Sequence, residues 1–324
     1  MPRLSIVIPA LGAWEQLEAT LVSVLANRPA DAEIFVALGR GYDDPYEIEG
    51  EVRFVSLPPG ATAVDAWNEA FVACRAPVVH LLACGAIVTE GWTDAALSHF
   101  DDPRVAAVAP IITSVDERIV HTAGWQYSLG GVANNFAAGQ PTDAVSETNR
   151  RWIGPHGAAA FYRRSALTPS RAAFDPSLGE ELAPLDVGLR LRTAGYRAIL
   201  EPRSRVAIAE IAGGAARDNL PSEKLFWRHA ASDGAWQAAV AHVGAIAGEF
   251  ARTFPQPRCV RQLWQRARGL LSSPWSADAG FELEPYADAQ KTDGACPSRR
   301  FHQPHGTGVR PATRSANVAG GWPS

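Results

Sequence analysis

Between residues 4 and 110, short β-branched runs alternate with stretches whose apolar residues recur every three or four positions. That alternation confines the chain to strand-helix-strand units around a mostly parallel sheet, an α/β fold. Leu4 to Pro9 (LSIVIP) reads as a first core strand, and Trp14, Leu17, Leu21, Val24 and Leu25 form a helical stripe closed by Pro29. Glu33 to Leu38 and Val52 to Leu57 are the next strands. A helix with Val64, Trp67, Ala70, Phe71 and Cys74 inward follows, and then the continuously apolar Val78 to Leu82, a strand buried on both faces.

Further along, TEGWTDAALSHF predicts a helix capped at Thr89 or Glu90, and Val105 to Ile112 another strand. Asp116 to Arg151 is rich in Gly, Asn, Gln and Thr, the composition of a long loop or small hairpin. Gly157 to Tyr162 predicts a strand. Leu185 to Ala194 predicts a helix ended by Gly195, with a strand from Arg197 to Leu200 after it. Past residue 211, Trp236, Val240, Val243, Ala247 and Phe250 mark one amphipathic helix. Val260, Leu263, Trp264, Ala267 and Leu271 mark a second, among four arginines. From Ser273 to Ser324 no periodicity is sustained, which predicts a flexible, disordered tail.

Bulk properties narrow the partners. With 47% hydrophobic and 20% charged residues the 324-residue chain supports a sizeable core, and a net charge of -4 argues against nucleic acid as a partner. The apolar run at the N-terminus stops at Pro9, and Ala76 to Val88 falls short of the roughly 20 residues a membrane span needs. No transmembrane segment is therefore expected, although the arginine-rich helix around Trp264 suits peripheral membrane contact. The four cysteines have no CxxC spacing, consistent with reduced thiols and a cytoplasmic location.

In this order, LSIVIPA, EIFVAL, ATAVDAWNEAFVACRAP, VVHLLACGAIVTEGW, GAAAFYRRSAL and FDPSLGEELAPLDVGLRLRTAGYRAILEP resemble a family 2 glycosyltransferase of the A-type fold, over Leu4 to Pro202. The resemblance implies a Rossmann-like, mostly parallel sheet flanked by helices at residues 1–210, accessory helices at 211–272 and the tail at 273–324. It implies sugar transfer from a nucleotide-sugar donor to a carbohydrate acceptor. On the donor side it points to Pro9, Ala10, Leu38, Arg40, Asn68, Ala83 and Gly85, and on the acceptor side to Trp152, His156 and Gly157.

The departures matter as much. Leu38 stands where the family places a base-binding aspartate, and Ala83, Cys84 and Gly85 replace its Asp-x-Asp motif. Manganese or magnesium needs oxygen ligands, which a methyl, a thiol and a hydrogen do not supply, so no cofactor is expected. Ala183 and Pro184 replace the Glu-Asp pair that supplies the general base, which leaves Glu180, Glu181 and Asp186 as the candidate catalytic carboxylates. Arg40 is a candidate to grip phosphate in place of a cation, and the imidazoles of His121 and His156 are alternative bases. Two expectations stand side by side. One is a hexosyl- or glycosyltransferase whose activity is impaired or absent, and the other is a non-catalytic protein that binds a glycan, a nucleotide or a protein.

Overall fold

The computed structural model describes residues 1–39, 41–42, 44–146, 151–167, 172–211, 219–230 and 235–253, together with 264–266, 268, 283 and 286. β1 (Leu4–Ala10) is buried along its whole length and leads into α1 (Trp14–Asn27), which presents Leu17, Leu21 and Val24 to the sheet. β2 (Ala32–Leu38), β3 (Val52–Ser56), α2 (Ala63–Ala73) and β4 (Val78–Leu82) follow. α2 starts at a reciprocal cap: the Asp65 N–H donates to Thr62 Oγ1, and the Thr62 N–H donates to Asp65 Oδ2 at 2.8 Å. β1 pairs in parallel with both β2 and β4, and β3 extends the sheet beyond β2. Strand order therefore reverses direction at β1, and the loops after β1 and β4 diverge to leave a crevice, the usual ligand position of an open α/β sheet.

Beyond β4 come β5 (Ala86–Ile87), α3 (Asp94–Ser98) and β6 (Val105–Thr113). α3 is shorter than its sequence predicts. Gly91, at φ +76°, breaks the expected first turn and leaves Trp92 buried ahead of the helix. The stretch expected to be a loop or hairpin is more ordered than its composition suggests. It forms β7 (Val120–Thr122) against β6, and β8 (Trp125–Tyr127) and β9 (Ala133–Asn135), which join β10 (Trp152–Gly154) in a separate three-stranded sheet. Strands of three residues are too short to show an alternating pattern.

β11 (Ala159–Arg163) runs antiparallel between β4 and β6. α4 (Gly179–Thr193) begins six residues before the predicted start and ends as predicted, with Gly195 at φ +86°. β12 (Arg197–Ile208) pairs with β6 and is three times the predicted length. Its register shifts between Glu201 and Arg205, a bulge that carries the strand past Pro202.

One apolar cluster unites Val7, Phe35, Val64, Trp67 and Phe71 with α4, and the other packs Ile6, Ile8, Leu17 and Leu21 with Trp92 and Phe161. Two helices follow. α5 (Asn219–His229) has no counterpart in the sequence reading, whereas α6 (Ala235–Thr253) covers the predicted stripe. Of the second predicted amphipathic helix, 264–266 and 268 are helical and the rest lies outside the described residues. The predicted tail also lies outside them, apart from Leu283, which packs on the core, and Tyr286, whose N–H donates to the Ala194 carbonyl. Among the described residues, no helix is long and apolar enough to cross a membrane.

Candidate functional site

A cleft of about 660 Å³ opens at the carboxyl ends of β1 and β4. Pro9, the turn Leu11 to Ala13 and Gln16 form one wall, and Ala83 and Cys84 lie at its back. His156, Gly157 and Ala158 come from the turn before β11, Ala63 and Trp67 from α2, and Glu180 and Glu181 from the first turn of α4. Ile208, Glu210 and Ile211 close the site from the end of β12.

Gly157 sits in close contact with two neighbours. A Cβ there would lie 2.7 Å from Trp67 Cη2 and 2.9 Å from Pro184 Cγ, so only glycine lets the turn seat against the indole. Trp67 packs edge-on against Phe174 at 5.5 Å, and its buried Nε1 has no hydrogen-bond partner among the described residues. Pro184 also acts on α4 itself: lacking an N–H, it leaves the Glu180 carbonyl without its helical donor. Glu180 and Glu181 stand on this first turn and line the cleft. Burial, and then the neighbouring Glu181 charge, raise the Glu180 carboxyl from its ordinary value. His156 accepts a hydrogen bond at Nδ1 from the Ala158 N–H at 3.1 Å, which places its proton on Nε2, and its ring stacks on Trp125 at 5.1 Å.

Of the residues singled out from sequence, Pro9, Ala83, His156, Gly157, Glu180 and Glu181 meet in this cleft. The others are not among the residues that line it. Ala10 and Leu38 are register partners inside the sheet, both buried. Asn68 brackets the Phe174 backbone, donating from Nδ2 to its carbonyl at 2.8 Å and accepting from its N–H at 2.9 Å. Gly85 turns the chain at φ +90° and donates its N–H to Thr20 Oγ1. Trp152 is buried, with Nε1 donating to the Ala123 carbonyl at 3.0 Å, and His121 is within 3.0 Å of the Ile208 carbonyl. Arg40 lies outside the described residues.

Asp186 is placed away from the cleft. It falls five and six residues after the two glutamates, which turns it to another face of α4, where it is fully buried. Arg190 donates to it at 2.8 Å, His229 lies at 2.8 Å and Arg228 at 3.2 Å. Burial alone would raise its pKa, but the His229 hydrogen bond and the Arg190 and Arg228 charges outweigh that and hold it well below the carboxylate range.

Gln16, Trp67 and Glu210 were not anticipated. Trp67 was legible only as a core position, and Glu210 was hidden because the last strand was expected to end at Leu200. The run Val206-Ala-Ile was the available signal that the strand goes on.

The cleft fits a divalent cation poorly at the position where the resemblance places one. Ala83 and Gly85 have no ligand atoms, and the Cys84 thiol, pushed up to about 11 by burial, donates to the Ala13 carbonyl instead. Among the described residues no three His, Cys, Asp or Glu side chains gather as a metal site. The described lining has three glutamates and neither lysine nor arginine.

This sheet order, with its cleft at the reversal point, defines the A-type glycosyltransferase fold, and solved structures agree. The chain superposes on GalNAc-T7 with UDP, GalNAc and Mn2+ at a TM-score of 0.52 and 15% identity, covering 71% of this chain and 48% of that one. It superposes on the mannosyltransferase PcManGT from Pyrobaculum calidifontis, in complex with GDP-Man and Mn2+, at 0.51 and 17% identity, covering 86% and 84%. For TarS of S. aureus the values are 0.50 and 12%, with 72% and 39% covered. The chain thus spans about half of the GalNAc-T7 chain and two fifths of the TarS chain. No protein-family model and no curated protein sequence matches it.

Proposed function

We propose that this is a glycosyltransferase-fold protein whose cleft binds a carbohydrate, with transfer from a nucleotide-sugar donor impaired or lost. The observation that carries the reading is the makeup of the cleft: three glutamates, two from the first turn of α4 and one from the end of β12, and Ala83, Cys84 and Gly85 where diphosphate charge would need an offset. Two like charges about 4 Å apart repel by roughly 4 kcal/mol at an effective dielectric constant near 20. A neutral polyol meets no such repulsion. Its hydroxyls donate to Glu180, Glu181 and Glu210.

A second reading has its own support. Glu180 stands in the cleft with a raised pKa, the property of a general base. In an active transferase, Glu180 takes the acceptor hydroxyl's proton as that oxygen attacks the anomeric carbon and the donor's diphosphate departs with the bonding electron pair. The nucleotide sugars would be of the kind its structural neighbours hold, with UDP or GDP.

Calorimetry with oligosaccharides and nucleotide diphosphate sugars, each with and without manganese, separates the two. Glycan binding that ignores manganese is the expected result. Micromolar donor binding that requires the ion would overturn the first reading.

A further inference from the structure

α6 is turned inside out relative to an ordinary surface helix. Its described ionisable groups are paired: His242 is buried, with Nδ1 2.8 Å from the Gly130 carbonyl and Nε2 2.9 Å from the Glu223 carboxylate, while Arg266 pairs with both Glu223 and Glu249. The opposite face carries Trp236, Val240 and Val243, at spacings of four and three, and these are 71%, 59% and 65% exposed. Ala247 continues the same line, and none of the described exposed residues of α6 is charged. A surface helix normally shows water its charged side and packs its apolar stripe inward. An apolar stripe left facing out marks an interaction surface.

Charge identifies what it meets. Between Glu249 and Asp278 the sequence has five arginines and no acidic residue, inside a chain of net charge -4. Within this stretch, Arg266 pairs with Glu249 of α6 and Glu223 of α5. Trp264 is 61% exposed, and the Arg268 guanidinium lies over its ring at 5.4 Å. Exposed tryptophan, an uncharged helix face and an arginine lying over an exposed indole, in an arginine-rich stretch of sequence, suit a surface that seats its apolar side among acyl chains and its cations among anionic headgroups.

We propose that Trp236, Val240, Val243, Trp264 and Arg268 dock the protein on an anionic lipid surface. Flotation of the full chain with phosphatidylcholine vesicles, with and without phosphatidylglycerol, tests this. The wild type should float with the anionic vesicles and be released as salt is raised. Trp236→Ser with Val243→Ser should weaken binding about 10-fold or more, and Arg268→Gln about 5-fold. These side chains are exposed, so circular dichroism should match the wild type. Failure of the wild type to float, equal binding to neutral vesicles, or variants that float as well as the wild type would each overturn the proposal. So would a dimer in vesicle-free solution that the double variant splits into monomers, since a second copy would then own the face.

Discussion

Asp186 and His229 meet at 2.8 Å across the packing of α4 against α5, and this contact anchors the C-terminal helices to the sheet domain. With Arg190, Arg228 and Asp175 it forms a buried ion cluster, in which Arg228 also donates to Asp175 at 2.6 Å. Asp186→Asn leaves buried cations short of their counter-charge. Removing one partner of such a pair costs about 3 to 5 kcal/mol, and urea denaturation should register that loss as a lower midpoint.

The same cluster sets an acid limit. The folded Asp186 carboxyl binds its proton less tightly than the unfolded one, so the unfolded state takes up the extra proton as pH falls. Its contribution is complete above about pH 4 and fades below it. Glu201 adds to this: burial pushes it up, but hydrogen bonds from Arg203 and His99 prevail and bring it to about 2. Stability measured between pH 6 and 2 should decline below about pH 4, and the Asp186→Asn variant should decline less steeply.

Gly157→Ala tests the floor of the cleft. The new methyl would overlap Trp67 and Pro184, so the indole or the α4 turn must shift. Overpacking of this kind costs about 1 to 3 kcal/mol. A thermal melt should show that loss, with weaker carbohydrate binding beside it.

Glu180→Gln and Glu181→Gln separate charge from shape. Each keeps the side-chain length but loses an ionised acceptor, and hydrogen bonds to charged groups contribute about 1.5 to 3 kcal/mol. Carbohydrate affinity should fall roughly 10-fold or more in each variant, read by calorimetry, with melting temperature little changed. Because the Glu180 pKa is raised, wild-type binding should weaken as pH drops through values where an ordinary glutamate is still ionised.

Cys84 should be a slow nucleophile despite lining the cleft. With its pKa near 11, its thiolate fraction at pH 8 is on the order of 100-fold below that of a free cysteine. Peptide mass spectrometry after brief iodoacetamide treatment should find little label there, and more as pH rises.

Particular elements show where sequence reading succeeds. β1, β2, β4 and α1 were legible because each buries an unbroken apolar run or a stripe three to four residues apart, and water enforces that pattern locally. β7 to β9 are legible only as a loop or small hairpin because three residues show no period, although β7 pairs with β6 and β8 with β9 across short turns; only β10, with Trp152 opposite Gln126, is held by chain farther away. α5 escaped notice because its polar surface is stabilised by Asp186, Asp175 and His242 rather than by its own periodicity. In the site, Glu180 and Glu181, singled out from sequence, line the cleft. Asp186 was assigned beside them because a linear reading does not say which face a residue shares.

By itself, then, the sequence determined the order of β1 to β4 with α1 and α2 between them, and the lack of carboxylates at residues 83–85, since these follow from local burial patterns and residue chemistry. Only the tertiary structure decided that Glu210 joins Glu180 across the cleft, that Asp186 is a buried tie, and that α6 shows its apolar face to solvent. Those outcomes depend on how a helix is rotated and where a strand ends, which is set by packing against chain far away.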